Sequence, residues 1–463
     1  MNKTHLLCRT LAGQAPFGFG AAIIAWALVL ACALILQSPP AAAEYIQQGI
    51  KLVGGQSAGP AGQGASVSLS ADGNTLIVGG PYDNKVTPSC GCYTYFVGAA
   101  WIFTRSDGVW TQAIPNKLVG SSATNISTYG SGQGVSVAMS GDGSTALVGG
   151  SNDGYNQGTG TTLGAAWVWT RSGDVWSQQA KLVDANASLS GNALYELGTS
   201  VALSFDGNTT LVGEVFDGSD SPSGGAWVFT RTGTTWSQGS WLTDPNAISS
   251  SSLGLSVALS SDGLTAILGD VSRSTAVVFT RSSGSSNWTL TARLVSQDAT
   301  SGSYFGGSVA LSGNGQTALV GGYADNSSTG AAWPFTVSAG SWSQLGSKLV
   351  GSSASTSQGF SVALSNDGGV ALEGAPYDFN NVGDAWLFTR IVVQPGSGGP
   401  FLLNGLRVPS NNGYNNGFVG NPKQGTSVAQ SADGSTAVVG GPQDTPLSNG
   451  WVPSRGWLEL RVA

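Results

Sequence analysis

A short alternation of apolar and polar residues, followed by a turn and a pair of small residues, recurs along most of the chain. In "SVSLSADGNTLIVGG", residues 66–80, a serine-valine pair begins the alternation, Asp-Gly follows, and a β-rich run ends in glycine. The copies are residues 66–80, 136–150, 200–214, 256–270, 308–322, 361–375 and 427–441. A period of two around Asp-Gly predicts a β-hairpin in each copy. The predicted turn residues are Asp72, Asp142, Asp206, Asp262, Asn314, Asp367 and Asp433.

Two more strands are predicted in each repeat. The phrase "GAAWVWTRSG" at residues 164–173 returns in related form at 98–108, 224–233, 275–284, 330–340 and 383–392. A fourth strand follows, as at residues 175–183 and 341–350. Four strands form one small antiparallel sheet, and seven such sheets at long regular spacing predict an all-β fold, a seven-bladed β-propeller.

The aromatic and basic residues of these phrases are interpreted as packing elements. Trp167, Trp169 and Arg171 alternate along a strand and therefore point to one face, and a blade has a neighbour on both faces. Most of the basic residues recur at two positions of the repeat, which argues against a basic patch on the surface. These positions are Arg105, Arg171, Arg231, Arg281, Arg390 and Arg455, and Lys51, Lys117, Lys181, Arg293, Lys348 and Arg407.

The ends of the chain predict how the ring closes. Residues 45–53 resemble the fourth strand at 342–350, so the N-terminal strand is predicted to complete the seventh blade. The last repeat no longer matches the others after residues 450–457. Pro453 replaces the usual phenylalanine there and would remove a backbone N–H donor from the strand pairing. The tail at residues 458–463 is predicted to be surplus or an alternative edge.

Composition narrows the class of protein. Only 9% of the 463 residues are charged and 70 are glycine, which excludes a helical protein and a charge-solvated disordered one. The net charge of −7 gives no electrostatic reason to bind DNA or RNA.

The first 43 residues differ from the rest. Lys3 and Arg9 precede a mostly apolar run at 17–36, and Ala41 and Ala43 offer a cleavage site. This predicts a signal peptide at residues 1–43, or an uncleaved membrane anchor, before a propeller at 44–463. The protein is expected to be a monomer that is secreted or held in the cell envelope, touching membrane only through an uncleaved segment.

Export restricts the available chemistry. The only histidine, His5, lies in the predicted signal. Cys90 and Cys92 could form a tight disulfide or pair with another chain, and they are at best half of a zinc site.

The chain resembles the FG-GAP repeat family, the seven-bladed propeller of integrin α chains and of many bacterial exported proteins. "FGGSVALS" at residues 305–312 and "GAPYD" at 374–378 carry the likeness, which extends more loosely over residues 45–450. The resemblance implies the fold and raises the expectation of calcium in the hairpin turns. Each turn here has a single acidic residue before glycine, whereas calcium takes six or more oxygen ligands. We therefore interpret these aspartates as turn formers; no cofactor is required, and calcium remains an open alternative.

The loops provide the candidate sites. Strands one and three of a blade run the same way, so the long variable loops should share one face of the disc, opposite the Asp-Gly turns. An aspartate recurs on that face just after the glycine pair that ends each hairpin. These aspartates could form Asx turns, or they could line the mouth of the central channel and bind a cation. These residues are Asp83, Asp153, Asp217, Asp325, Asp378 and Asp444, with Arg273 in their place in the fourth repeat.

Two insertions on the same face are rich in aromatic residues and are the predicted ligand-binding segments, although loop packing would explain them as well. They are residues 85–98, with Tyr93, Tyr95 and Phe96, and residues 408–422, with Tyr414 and Phe418.

Catalysis has little support in the sequence. "GQSAG" at residues 55–59 fits a nucleophile-elbow pattern, but no histidine follows the predicted signal to act as base. We therefore predict a non-catalytic recognition or adhesion module that binds extracellular protein or carbohydrate. The alternatives are a carboxylate-based hydrolase or lyase acting on extracellular polysaccharide, and an envelope spacer without a ligand.

Overall fold

The computed structural model describes residues 45–47, 51–86, 95–121, 130–156, 160–187, 194–215, 224–247, 251–351, 357–394, 397–408, 422–443 and 457–462. The predicted export signal lies outside these residues. None of the described helices is both long and apolar enough to span a bilayer.

The described strands form seven four-stranded antiparallel sheets, and six of them are each built from one continuous stretch of chain. The first described strand in the sequence, β1 (Tyr45–Gln47), belongs to the seventh sheet. The first blade contains β2 (Ser66–Leu69), β3 (Thr75–Gly80), β6 (Ala99–Ser106) and β7 (Val109–Gln112), with the small hairpin β4 (Lys85–Val86) and β5 (Tyr95–Phe96) inserted. The second contains β8 (Ser136–Met139), β9 (Thr145–Gly150), β10 (Thr162–Ser172) and β11 (Val175–Leu182), with β12 (Leu194–Leu197) added in parallel to β10.

The next four blades follow the same order. The third is β13 (Val201–Leu203), β14 (Thr209–Glu214), β15 (Gly225–Thr232) and β16 (Thr235–Leu242). The fourth is β17 (Ser256–Leu259), β18 (Thr265–Asp270), β19 (Thr275–Thr280) and β20 (Thr289–Leu294). The fifth is β21 (Ser308–Leu311), β22 (Thr317–Gly322), β23 (Ala331–Ser338) and β24 (Ser341–Gln344), and contains the single turn α1 (Asp325–Ser328). The sixth is β25 (Ser361–Leu364), β26 (Val370–Ala375), β27 (Asp384–Gln394) and β28 (Ser397–Val408), with the turn α2 (Asp378–Asn381).

The seventh sheet is composite. It joins β29 (Ser427–Gln430), β30 (Thr436–Gly440), β31 (Trp457–Val462) and β1, so both ends of the described chain meet in it. The prediction that the N-terminal strand completes this sheet is confirmed, with Ile46 opposite Arg461. The prediction that the tail is surplus is wrong. Trp457–Val462 is the third strand of this sheet, because Gly440 is paired with Trp457 and Thr436 with Arg461.

Consecutive innermost strands contact one another around the whole ring, and β29 contacts β2. The prediction of an all-β propeller with four-stranded antiparallel blades is therefore confirmed. The residues at the start of the innermost strands surround a central depression of about 260 Å³.

The Asp-Gly turns are held by a repeated hydrogen-bond pattern. Ser70 Oγ donates to Asp72 Oδ1 at 2.5 Å, the Asn74 amide donates to the same oxygen at 2.9 Å, and the Thr75 amide donates to Ser70 Oγ. The same serine-to-turn bond occurs in every repeat. Partial burial would raise the pKa of Asp72, but these hydrogen bonds outweigh it and the pKa is lowered. The interpretation of the aspartates as turn formers is confirmed.

The turns are also linked to one another in a closed circle, which we call the turn ring, on the face we call the turn face. In each link a backbone amide of one turn donates to a carbonyl of the next turn at 2.8–3.1 Å. The carbonyls belong to Gly141, Phe205, Ser261, Gly313, Asn366, Ala432 and Ala71, in that order.

A second circle, the serine ring, joins the blades near the opposite end of the channel. The serine of each Ser-Val pair donates its hydroxyl to the carbonyl of a glycine in the next blade at 2.7–3.0 Å. The donors are Ser66, Ser136, Ser200, Ser256, Ser308, Ser361 and Ser427, and the last of them reaches Gly64 in the first blade.

The core lies between blades, where the aromatic residues were predicted to pack. Trp167 is fully buried in one cluster with Ile77 and Ile102 of the preceding blade. Three of the repeated arginines, Arg105, Arg231 and Arg281, stack on Trp110, Trp236 and Trp288 at 5.0–5.4 Å, whereas Arg171 pairs with Asp174. The prediction of a structural role is therefore confirmed for Trp167 and for these three arginines.

Candidate functional site

The variable loops gather on the face opposite the turn face, which we call the loop face. The loop that follows the second strand of a blade is hydrogen-bonded to the loop that precedes its first strand. Examples are the Tyr82 amide to the Ala61 carbonyl at 3.0 Å and the Ala324 amide to the Ser303 carbonyl at 3.1 Å. The predicted placement of the loops on one face is confirmed.

The repeated aspartates of this face are buried ion-pair partners of the repeated lysines. Asp83 is 2.9 Å from Lys117 Nζ, and Asp153 is 2.5 Å from Lys181 Nζ. Asp325 is 2.5 Å from Lys348 Nζ and also accepts the amide of Thr300 at 2.7 Å. The three carboxylate side chains are at most 3% exposed, so each loop is tied to the fourth strand of its own blade or to the segment just after it.

The fourth blade reverses this arrangement. Arg273 stands in place of the aspartate, and Arg293 stands at the lysine position, so two cations face each other. Asp244, supplied by the loop before this blade, lies 2.8 Å from Arg273 and 2.5 Å from Arg293. The hydrogen bond from Arg293 is the main cause that lowers the pKa of Asp244 to about 2. The ion pair is thus retained with its signs exchanged, which supports a structural role for it.

The aspartates do not line the channel mouth. Among the described residues, the mouth is formed by the Ser-Val pairs and the residues before them, which include Ala65, Val135, Leu255 and Phe360. These are the first residues of the innermost strands, whereas the aspartates follow the second strands and turn into the blades. The interpretation that Asp83, Asp153 and Asp325 form the mouth is wrong for this reason. Asp378 is 5% exposed and is not among the mouth residues either, while Asp217 and Asp444 lie outside the described residues.

A calcium site stays a prediction. Within the described ranges, no group of three or more histidine, cysteine, aspartate or glutamate residues is placed to hold a metal ion. The lysine ammonium beside Asp83, Asp153 and Asp325 already supplies the positive charge that a cation would provide.

Only part of the first predicted binding insertion is described. Tyr95 and Phe96 form β5, and the Phe96 ring meets the ring of Tyr82 edge-on at 5.6 Å. Tyr82 is 50% exposed. Tyr93, Cys90 and Cys92, and Tyr414 and Phe418 of the other insertion, lie outside the described residues, so their roles stay predictions.

A longer group of aromatic side chains, which we call the aromatic row, runs across the loop face of the fifth and sixth blades. Tyr304 stacks on Tyr323 with ring centroids 5.0 Å apart, Tyr323 meets Phe360 at 5.4 Å, and Phe360 meets Tyr377 at 6.1 Å. Lys423 of the seventh sheet places its Nζ 4.9 Å from the centroid of Tyr377. Tyr304 is 47% exposed and Tyr377 is 38% exposed, so the row presents aromatic surface to solvent.

Sequence reasoning missed the aromatic row because it joins residues of different repeats. One signal for it was present. Gly62 and Gly132 occupy a left-handed position in the first two repeats, and the fifth and seventh repeats have Tyr304 and Lys423 there, with φ of 56° and 53°. A bulky residue at a position that suits glycine is unusual.

Comparison with known proteins agrees with the repeat analysis. An FG-GAP repeat model matches residues 288–335, which include β20 to β22, most of β23 and the "FGGSVALS" motif. No curated protein matches the chain. Among solved structures, the chain is similar to the periplasmic gluconolactonase PpgL of Pseudomonas aeruginosa, with 16% identity and a TM-score of 0.47 over 73% of this chain and 84% of that one. The resemblance to the FG-GAP repeat family is thus confirmed: the chain carries an FG-GAP repeat within a propeller of like blades.

Proposed function

We propose that this protein is an exported recognition module that binds extracellular protein or carbohydrate through its loop face. The observation that carries the proposal is the exposure of three tyrosines, Tyr82, Tyr304 and Tyr377, on the face that also holds the inserted segments. Tyrosine combines a large apolar surface with a hydroxyl, and its exposure on a variable surface supports binding there.

The remaining chemistry of the loop face supports binding rather than catalysis. The described carboxylates Asp83, Asp153, Asp244 and Asp325 are buried in ion pairs, which leaves them poorly placed as acid and base. No observation in the described part of the chain favours the hydrolase or lyase alternative.

The test is attachment of the labelled mature chain, residues 44–463, to cells of the organism that produces it. We expect that replacing residues 87–94 or residues 410–416 with a short glycine-serine linker abolishes attachment and leaves the melting temperature nearly unchanged. Neither segment includes a described strand, so replacing it should leave the ring intact.

The matched control is Phe205→Ser, which removes a 46% exposed aromatic side chain from the turn face. This variant should attach as the unmodified chain does. Two results would overturn the proposal. The first is that the unmodified chain does not attach; the second is that Phe205→Ser loses attachment while both loop variants keep it.

A further inference from the structure

The aromatic row is a continuous surface supplied by two neighbouring blades, the fifth and the sixth. Tyr304 precedes the first strand of the fifth blade and Tyr323 follows its second strand, while Phe360 and Tyr377 hold the related places in the sixth. The centroids of successive rings are 5.0–6.1 Å apart, so the four side chains form one continuous aromatic surface.

Tyr304, at one end of the row, and Lys423, beside the other end, are held in a left-handed backbone conformation with φ of 56° and 53°. The carbonyl of residue 304 accepts the amide of Gly307, and the carbonyl of residue 423 accepts the amide of Thr426. Gly62, Gly132, Glu196 and Ser357 form the same turn in four other repeats, also with positive φ. The fold therefore accepts different side chains at this position, and in these two repeats the side chains lie at the aromatic row.

Apart from the ammonium of Lys423 beside Tyr377, the residues described next to the row are polar and uncharged. Asn326, Ser327 and Ser328 follow Tyr323 and are exposed, and Asn380 follows Tyr377 and is exposed. The acidic residues of the same two loops, Asp325 and Asp378, are buried. A ligand on the row would therefore meet aromatic faces flanked by amide and hydroxyl groups.

We propose that the aromatic row binds a strand of neutral polysaccharide. One face of a pyranose ring carries weakly polarised C–H groups that pack on the negative face of an aromatic ring, while its hydroxyl groups exchange hydrogen bonds with amides and hydroxyls. A polyanion is disfavoured by the net charge of −7. The inference rests on the proposed function, because it names the ligand class of the loop face.

The test is electrophoresis of the mature chain through native gels that contain dissolved glucan, glucomannan or xylan, with polygalacturonate as the acidic comparison. We expect at least one neutral polymer to retard the protein. Tyr304→Gly and Tyr377→Ala should each weaken the retardation at least tenfold. The matched control is Phe205→Ser, which removes a 46% exposed aromatic side chain from the turn face, away from the row.

Folding of the variants does not confound this test. Tyr304→Gly installs the residue that two other repeats already use, and its melting temperature should stay within a few degrees of the unmodified value. The proposal would be overturned if no neutral polymer retarded the protein, or if polygalacturonate alone did. It would also be overturned if the unmodified chain and both row variants were retarded equally. If cell attachment persists in that case, the ligand class is wrong and the proposed function stands; if attachment is also absent, both fail.

Discussion

At the scale of single residues, the described part of the chain contains a fully buried acid, Glu373, whose carboxyl group has no hydrogen-bond partner there. Glu373 lies in β26 between Ala371 and Ala375, which pack with Leu319, Trp386 and other apolar residues. Its side chain is 1% exposed, and neither carboxyl oxygen has a hydrogen-bond partner among the described residues. Burial raises the pKa of Glu373 well above its usual value. The other repeats have valine or leucine at this position: Val78, Val148, Val212, Leu268, Val320 and Val439.

We predict that Glu373→Val stabilises the protein. A buried polar group without a partner costs about 1–3 kcal/mol, so a gain of about 2 kcal/mol at pH 7 is expected in urea unfolding. Because the pKa is raised in the folded state, the unfolded chain releases the proton first, and the cost of Glu373 grows as pH rises above the usual value of 4.5. The gain from Glu373→Val should therefore be smaller at pH 4 than at pH 7. An equal gain at both values would show that the carboxyl is solvated in the folded protein.

At the scale of the element, the serine ring explains why glycine and Ser-Val recur together. Ser308 donates to the carbonyl of Gly359, whose φ is 72°, and a Cβ on Gly359 would lie 2.1 Å from the carbonyl oxygen of Ala331. The glycine thus lets the next blade approach closely enough to accept the hydroxyl. The repeated Ser-Val pair and glycine therefore form a contact between neighbouring blades as well as the hairpin within each blade.

Substitutions at this contact should separate its two components. Ser308→Ala should cost about 1 kcal/mol in unfolding free energy, the usual worth of one hydrogen bond. Gly359→Ala should cost about 3 kcal/mol or more, because backbone must move to admit the methyl group. The matched control is Gly233→Ala, where φ is 64° and nothing lies within 4 Å of the added carbon, so only about 1 kcal/mol of backbone strain is expected. Equal costs for the two glycine variants would contradict the close-approach explanation.

At the scale of the whole molecule, the composite sheet determines whether the ring is closed. β31 holds β30 on one side and β1 on the other. Deletion of residues 457–463 should lower the melting temperature more than deletion of residues 44–47, because it removes one strand and leaves β1 without a partner. Differential scanning calorimetry of both truncated chains checks this order. A larger effect of the N-terminal deletion would mean that β1 has another partner.

The sequence predicted the elements whose chemistry is local and missed those that depend on distant residues. Ser66–Leu69 and Thr75–Gly80 were predictable because Ser70, Asp72 and Gly73 form the turn between them. Trp457–Val462 was not recognised as the third strand because its residues no longer match the repeated phrase. The aromatic row was missed because Phe360 meets Tyr323 only after two blades have packed together.

The composite sheet also imposes an order of events on folding. A polypeptide is made from its N-terminus, so β1 is synthesised before all the other described strands and its partner β31 after them. Contacts between residues so far apart in sequence form slowly, because a long loop must close before they are made. Until β31 has been made, β30 presents an unpaired strand edge, which is prone to join other chains. A chain that ends before β31 therefore keeps an exposed strand edge and should be recognised by chaperones and proteases, whereas a chain that includes β31 covers this edge.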